Sequence, residues 1–384
     1  MRGLSVNGRT YRWPSRPLVV VCLDGSSFEY IDRAIAAGAA PYLRSLVSLT
    51  FFRLVQSALP SFTNPNNVSI VTGVPPAMHG ISGNFFLDRD TGSDVMMNDA
   101  SFLRAETIPA AFSRAGARVA IVTAKDKLRR LLCHGVSGTC VSIEATGVEV
   151  YSAALSEQAL AEGARLVEAT APDLMYVSTS DYVQHKHAPG EDEANRFYGA
   201  VDRSLAAMDR MGATLVVTAD HGMRAKADAA GRVRAVYLQD VLDAWLGPGA
   251  ARVVLPITDP YVLHHGALGS CAMVYFGAAV DGAALVERIN GLAGIDVAVP
   301  HADAWRRFDL PPDRTGDIVV FADGETVVGT RPADHDLSAL DAPLRSHGGR
   351  AEQEVPMLAN RPIARGDGPL HNYDAFDVGL NSST

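Results

Sequence analysis

Seven residues of types that bind cations or attack electrophiles stand out by their spacing. In "SDYVQH", Asp181 and His185 form an i, i+4 pair, which a helix would present on one face, close enough to share an ion. His187 falls off that face and reads as a solvated or supporting residue. In "TADHGM", Asp220 and His221 are adjacent, so both reach one ion only where the backbone turns sharply, and Gly222 permits such a turn. "RSHGG" adds His347 in a loop whose two glycines allow close approach, and Asp24 ends the run "PLVVVCLD". Three aspartates and three histidines suit two ions better than one. Mixed imidazole and carboxylate ligands favour zinc, with manganese and iron as the alternatives. Two such ions about 4 Å apart clamp a tetrahedral phosphoryl group and activate a hydroxyl nucleophile. Thr63, in "SALPSFTNPNNVSIVTG", sits where an extended segment meets a predicted helix start. It is either a helix cap or a nucleophile facing backbone donors. The metal constellation favours the nucleophile. The other histidines, including His134, His264, His265, His301 and His335, have no ligand-like neighbours in sequence and read as structural or surface residues.

The elements that must position these groups are legible as short apolar runs with helical patterns between them. "PLVVVCLD", "RVAIVTAK", "DLMYVSTSD" and "TLVVTADHG" have the length and Val/Ile content of parallel strands buried on both faces. "SEQALAEGARLVEAT" and "FYGAVDRSLAAMDRMG" carry apolar residues at helical spacing. The alternation predicts an α/β domain with a mostly parallel sheet. Ligands of such sheets bind beyond the carboxyl ends of the strands. The four runs end there in Asp24, in Lys125 and Lys127, in Asp181, and in Asp220 with His221. Beyond His221 the texture changes to "VVLPITDPYVLHH", "CAMVYFGAAV" and "DIVVFADGETVVG" around one helical pattern, "GAALVERINGLAG". We therefore expect a core of residues 1–239 and 336–384 and a smaller inserted α+β cap of residues 240–335. The final "GLNSST" is expected to fray.

Composition narrows the function classes. With 384 residues, 47% hydrophobic and 20% charged, the chain is long enough for a large core. A net charge of −9 disfavours nucleic acid and anionic membrane surfaces as partners. A small anionic substrate would then need local positive charge. No apolar run approaches the roughly 20 residues of a membrane span, and the short run before Asp24 reads as a buried strand, not a signal-peptide core. The four cysteines, Cys22, Cys133, Cys140 and Cys271, lack metal or redox spacing. Reduced thiols in a cytoplasm are expected, with Cys133 and Cys140 able to pair in an exported chain. A homodimer is compatible with this size.

These residues resemble the alkaline phosphatase superfamily, in its nucleotide pyrophosphatase/phosphodiesterase-like branch. The resemblance rests on "LDG" at 23–25, "PSFTNPNNVSIVTGVPPAMHGISGN" at 60–84, "SDYVQH", "TADHGM" and "RSHGG", in that order along most of the chain. It implies an alkaline phosphatase-like α/β core whose mostly parallel central sheet is flanked by helices. It also implies two zinc ions, one among Asp24, Thr63, Asp220 and His221 and the other among Asp181, His185 and His347. Asn84 would donate to a phosphoryl oxygen. The sulfatase signature around Thr63 is absent, and no position matches the phosphate-gripping arginine of the alkaline phosphatases proper.

Within the branch, "VTAKDKL" at 122–128 resembles the paired lysines of the phosphonoacetate hydrolases. Taken alone, K-x-K followed by Arg129 and Arg130 is a solvated basic turn. At a strand end on the metal rim, with alternate residues of an extended segment facing one way, Lys125 and Lys127 are placed to hold a carboxylate. The resemblance thus implies cleavage of the carbon–phosphorus bond of phosphonoacetate through a phosphothreonine at Thr63. The alternative is a phosphodiesterase or nucleotide pyrophosphatase using the same metals and threonine, with Phe62 or Tyr182 stacking on a base. A non-catalytic zinc-stabilised binding protein is the reading from another class.

Overall fold

The computed structural model describes residues 3–258, 266–338, 340–364, 366 and 368–383. His264 and His265, read from sequence as structural or surface residues, lie outside the described residues. The runs singled out above form strands β1 (Leu18–Cys22), β3 (Val119–Thr123), β5 (Leu174–Ser178) and β6 (Thr214–Thr218), interleaved with β2 (Phe51–Gln56) and β4 (Thr139–Ser142). Four strands follow, β7 (Ala251–Val254), β8 (Cys271–Phe276), β9 (Ile295–Pro300) and β10 (Ile318–Ala322), and the chain returns as β11 (Glu354–Ala359). The main sheet has seven strands in the order β2-β11-β6-β1-β5-β3-β4. From β6 to β4 every pairing is parallel. β11 and β2 join antiparallel at one edge.

Register explains why the reactive residues converge. Cys22 lies opposite both Thr218 and Ser178, and Ser178 opposite Thr123, so four strands stop level. Residues just beyond those ends are therefore held on one rim by backbone pairing. The strands themselves are buried throughout. Val20, Ile121, Tyr176 and Val216 face one core, and Val19, Val122, Val177 and Val217 the other, as period-2 alternation requires. Each such side chain contributes about 1.5–3 kcal/mol by leaving water. Helices Ala153–Thr170 and Asp192–Arg210 cover the second face through Leu155, Leu160, Phe197 and Leu205.

The later strands form a separate antiparallel sheet, β7-β8-β10-β9. Helix Gly282–Asn290 buries Leu285 and Ile289 against it, its amino end capped by Asp281. This unit's apolar cluster takes in Leu59 and Phe62 from the segment leading into Thr63, so the two sheets meet next to the nucleophile candidate.

Two expectations fail here. Cys133 and Cys140 are joined in a disulfide, leaving Cys22 and Cys271 as buried thiols; the pair closes the end of a helix onto the neighbouring strand β4. The segment 379–383, expected to fray, is held in place. Val378–Ser382 forms a π-helical turn, with Leu380 buried and Asn381 donating to the Thr10 carbonyl and to Asp377. Among the described residues no helix is long and apolar enough to cross a membrane.

Candidate active site

Helix α1 (Thr63–Thr72) begins directly after Phe62, whose extended backbone (φ −118°, ψ 158°) makes Phe62 the cap. Thr63 is the first helical residue and is not the cap. Its hydroxyl lies 3.3 Å from His221 Nε2. The turn leading into it is fixed by Asn66, whose amide accepts from Ala58 N and donates to the Ala58 and Phe62 carbonyls.

Around Thr63 the structure gathers buried ligand-type groups. Asp181, His185 and His347 offer atoms within 4.8 Å of one another, and so do Asp24, Asp181 and His221. His185 Nε2 is 3.0 Å from Asp181 Oδ2, and His347 Nε2 is 3.8 Å from the same oxygen. His221 Nε2 is 3.3 Å from Asp24 Oδ1. The His221 and His347 rings stack at 3.6 Å. All three histidines are oriented alike. Nδ1 of His185 donates to the Arg345 carbonyl (2.8 Å), that of His347 to Ser61 (2.9 Å), and that of His221 to Gly222 (2.9 Å). A carbonyl only accepts, so each Nδ1 carries the proton and each Nε2 turns a lone pair inward. That is the tautomer a metal ligand needs.

The electrostatics also call for a cation. Burial, with Asp181 and Asp220 close by, raises the Asp24 pKa well above the usual carboxylate range. Burial likewise pushes Asp220 up to about 6. Burial, with His221 and His185 nearby, holds His347 far below the ordinary imidazole value. For His221 burial opposes the charge, but Asp24 and Asp181 outweigh it and the pKa rises. Neither Asp24 carboxylate oxygen accepts a hydrogen bond although both are buried. Divalent cations fit this donor set, because they stabilise crowded carboxylates and bind neutral imidazoles.

A cavity of about 430 Å³ opens onto these groups. Thr63, Asn84, Asp24, Asp181 and His347 line it together with Lys125 and Lys127. Lys125 caps helix α2 (Asp126–Leu132) and Lys127 lies in its first turn, so the two are not on one extended segment as the sequence reading supposed. They reach the same cavity because the chain turns into the helix between them. Lys125 Nζ is 3.5 Å from Asp181 Oδ1. Asp126 pairs with Arg129 (2.7 Å) and Arg130 (2.9 Å), and Glu144 accepts its backbone N–H (2.7 Å). Arg129 and Arg130 are thus tied to Asp126, and Arg130 lines the cavity beside Lys125 and Lys127.

The profile of the type I phosphodiesterase/nucleotide pyrophosphatase family matches residues 18–350. The chain belongs to that family. Among solved structures of similar fold is phosphonoacetate hydrolase from Sinorhizobium meliloti 1021 in complex with phosphonoformate. It is 50% identical, with a TM-score of 0.96 over 100% of this chain and 99% of that one. The same enzyme in complex with phosphonoacetate matches at 49% identity with the same score. Murine ectonucleotide pyrophosphatase/phosphodiesterase 5 shares the fold, with a TM-score of 0.68 at 18% identity. A curated pyrophosphatase/phosphodiesterase of Schizosaccharomyces pombe is 37% identical over 75 residues, and an ectonucleotide pyrophosphatase/phosphodiesterase of Caenorhabditis elegans 30% over 102. The matched stretch spans only 15% and 13% of those two proteins' lengths.

Within this family member several sequence readings change in detail. Asp220 sits next to His221, yet both its oxygens accept from amides. Gly25 N and His221 N donate to Oδ1 (3.2 and 3.0 Å), and Asn67 Nδ2 donates to Oδ2 (2.9 Å). Oδ1 thereby uses both its lone pairs, and Oδ2 keeps one for a cation. Asp181, in contrast, lies within reach of both groups of ligands. Gly222 provides room and not a special φ: a Cβ there would meet the Glu352 carbonyl at 3.3 Å. Asn84 donates to the Ile257 carbonyl (3.2 Å), while its buried Oδ1 has no hydrogen bond. Phe62 is fully buried against the edge of His347, and neither it nor Tyr182 lines the cavity; Tyr151 does. His187 is half-buried beside Glu191, and His335 is held by Thr330 N and the Gly266 carbonyl, both away from the site. Asn67 was missed. It sits four residues after Thr63, donates to the Thr63 carbonyl and to Asp220, and accepts from Tyr176 and Ser178 hydroxyls. The i+4 spacing from Thr63 was the available signal. Glu144, which opens a 3-10 turn (Glu144–Thr146), and Tyr151, outside any helix or strand, carried none.

Proposed function

We propose that this protein hydrolyses the carbon–phosphorus bond of phosphonoacetate, giving acetate and phosphate. The observation that carries the reading is one cavity lined by Thr63, two lysines, and Asp24, Asp181 and His347 of the buried Asp/His cluster. Full-length likeness to a phosphonoacetate hydrolase supports it. Asp24, Thr63, Asp220 and His221 would hold one divalent ion and Asp181, His185 and His347 the other, with zinc favoured over manganese or iron. When bound, such ions supply Lewis-acid stabilisation of the phosphoryl oxygens and lower the pKa of an oxygen ligand.

The chain's own residues then do the rest. Thr63 Oγ1, fixed at the first turn of α1, attacks phosphorus and forms a phosphothreonine. Asn84 donates to a phosphoryl oxygen. Lys125 and Lys127 hold the substrate carboxylate and strengthen their hold as charge from the departing carbon spreads into it. Contacts that tighten in the transition state are the ones that raise the rate. The departing carbon takes up one proton, offsetting the one Thr63 gives up on attack, and leaves as acetate; water then breaks the phosphothreonine P–O bond, returning the Thr63 hydroxyl and releasing phosphate. The reading keeps the cap boundaries of 240–335, supported by the separate four-stranded sheet; the Cys133–Cys140 disulfide weighs against the cytoplasmic location expected from sequence.

The test is phosphate release from phosphonoacetate by the zinc-loaded protein, beside p-nitrophenyl phenylphosphonate and a dinucleotide. Preferred turnover of phosphonoacetate supports the proposal. Turnover of the diesters with phosphonoacetate inert would make the protein a phosphodiesterase and Lys125 and Lys127 a basic turn.

A further inference from the structure

Lys226 and Glu352 form an ion pair of 2.9 Å with no solvent exposure on either side chain. Lys226 Nζ also donates to the Asp323 (3.3 Å) and Gly324 (3.1 Å) carbonyls, just beyond β10, which uses all three of its N–H bonds. The second Glu352 oxygen accepts from Gly349 N (2.9 Å). From there two short chains of bonds reach the metal cluster. The Gly349 carbonyl accepts the Ser61 hydroxyl (2.7 Å), and the Ser61 carbonyl orients His347. The Glu352 carbonyl accepts from Gly222 N (2.7 Å), and the Gly222 carbonyl orients His221.

Such a pair is a poor device for stability. Desolvating two charges costs about as much as their attraction returns, and apolar replacement of similar volume is often neutral or stabilising. What it does supply is a fixed position for every group bonded to it. We infer that Lys226 and Glu352 are positioning residues that set the angle of His221 and His347, one histidine from each proposed ion site. The inference rests on the metal reading above. It assigns the pair a part in ion affinity that no direct contact would reveal.

The experiment compares wild type with Lys226→Met/Glu352→Leu, which removes both charges and keeps similar volume. Ion affinity is measured by competition with a chromophoric chelator, using zinc alone. Hydrogen exchange of residues 345–349 is followed in the metal-free proteins. The double variant is expected to keep its thermal midpoint within a few degrees, while the weaker-bound ion loses about 10–100-fold in affinity. The Gly349 amide should exchange at least about tenfold faster, having lost its carboxylate acceptor. A folded double variant with unchanged zinc affinity overturns the inference, whatever its midpoint. If that variant does not fold, Glu352→Gln goes through the same titration with the same two outcomes. A wild type that binds no zinc overturns the metal reading and this inference with it; a wild type that binds two ions beside an unaffected variant overturns this inference alone.

Discussion

Replacing Gly348 by alanine tests how tightly the His347 loop is built. Gly348 has φ +114°, and a Cβ there would lie 2.1 Å from Phe62 Cε1 and 2.4 Å from Cζ. Carbon atoms in contact sit at about 3.5 Å, so one side must retreat by about 1.4 Å. The Phe62 ring has no exposure, and Thr63 follows it directly. The loop is therefore the part that moves. Left-handed backbone costs a non-glycine residue about 1–3 kcal/mol, and the overlap adds about 1–3 kcal/mol. We expect about 4 kcal/mol of lost stability, a large share of the about 5–15 kcal/mol typical of a folded domain. A shift of that size also spoils the 3.6 Å stack of His347 on His221 and its bond to Ser61. Binding of an ion at Asp181, His185 and His347 should then weaken about 10–100-fold. Urea unfolding of the stripped protein gives the first quantity and chelator competition the second. Adding Phe62→Ala should recover the overlap part and leave the backbone part, a coupling of about 1–3 kcal/mol. A single variant within about 0.5 kcal/mol of wild type, or strict additivity with Phe62→Ala, would refute the steric reasoning.

Three further outcomes follow from the site. Thr63→Ala should lower turnover of phosphonoacetate by at least about a thousandfold with ion content unchanged, measured by phosphate release and metal analysis; substantial residual turnover would remove Thr63 as nucleophile. Lys127→Ala should cost about 10–100-fold in kcat/KM for phosphonoacetate, the weight of one charge-assisted hydrogen bond, and little for p-nitrophenyl phenylphosphonate, which has no carboxylate. Equal loss on both would sink the carboxylate role. The third concerns pH. Asp220 titrates at about 6 in the ion-free fold against an ordinary 3.8, so its contribution favours the folded state at low pH and fades as pH rises from about 4 through about 6. At about 1.4 kcal/mol per unit this amounts to about 3 kcal/mol. The gap in unfolding free energy between zinc-loaded and stripped protein should widen over that range; a gap independent of pH would count against Asp220 facing the ion.

Much of the site was legible because its residues carry local signals. Asp181 and His185 declare themselves by helical spacing, and the helix does start at Tyr182. Thr63 could not be resolved locally, since a hydroxyl at a helix start serves equally well as a cap; Phe62 taking the cap position removes that role, and the nucleophile is our proposal. Glu352 and Lys226 have no mutual signal at all. They are more than a hundred residues apart, and a lone lysine in "MRAKAD" reads as surface. Phe62 offered a ligand face only to the alternative reading, since an aromatic beside a nucleophile serves equally as a wall; packing buries it under Gly348. Asn67 shows the opposite case, a signal present in the spacing and passed over.

The sequence by itself determined the α/β class, the four central strands and the identity of the groups at their ends. Period and composition are local properties, and strand ends in a parallel sheet are where ligands gather. Tertiary structure alone decided which groups meet. Level strand ends set Asp24, Asp181 and Asp220 on one rim, the distant Arg345 and Ser61 carbonyls fixed the His185 and His347 tautomers, and packing put Lys125 and Lys127 in one cavity with Thr63 and Asn84. Those facts depend on contacts between segments far apart in the chain, and no window of residues contains them.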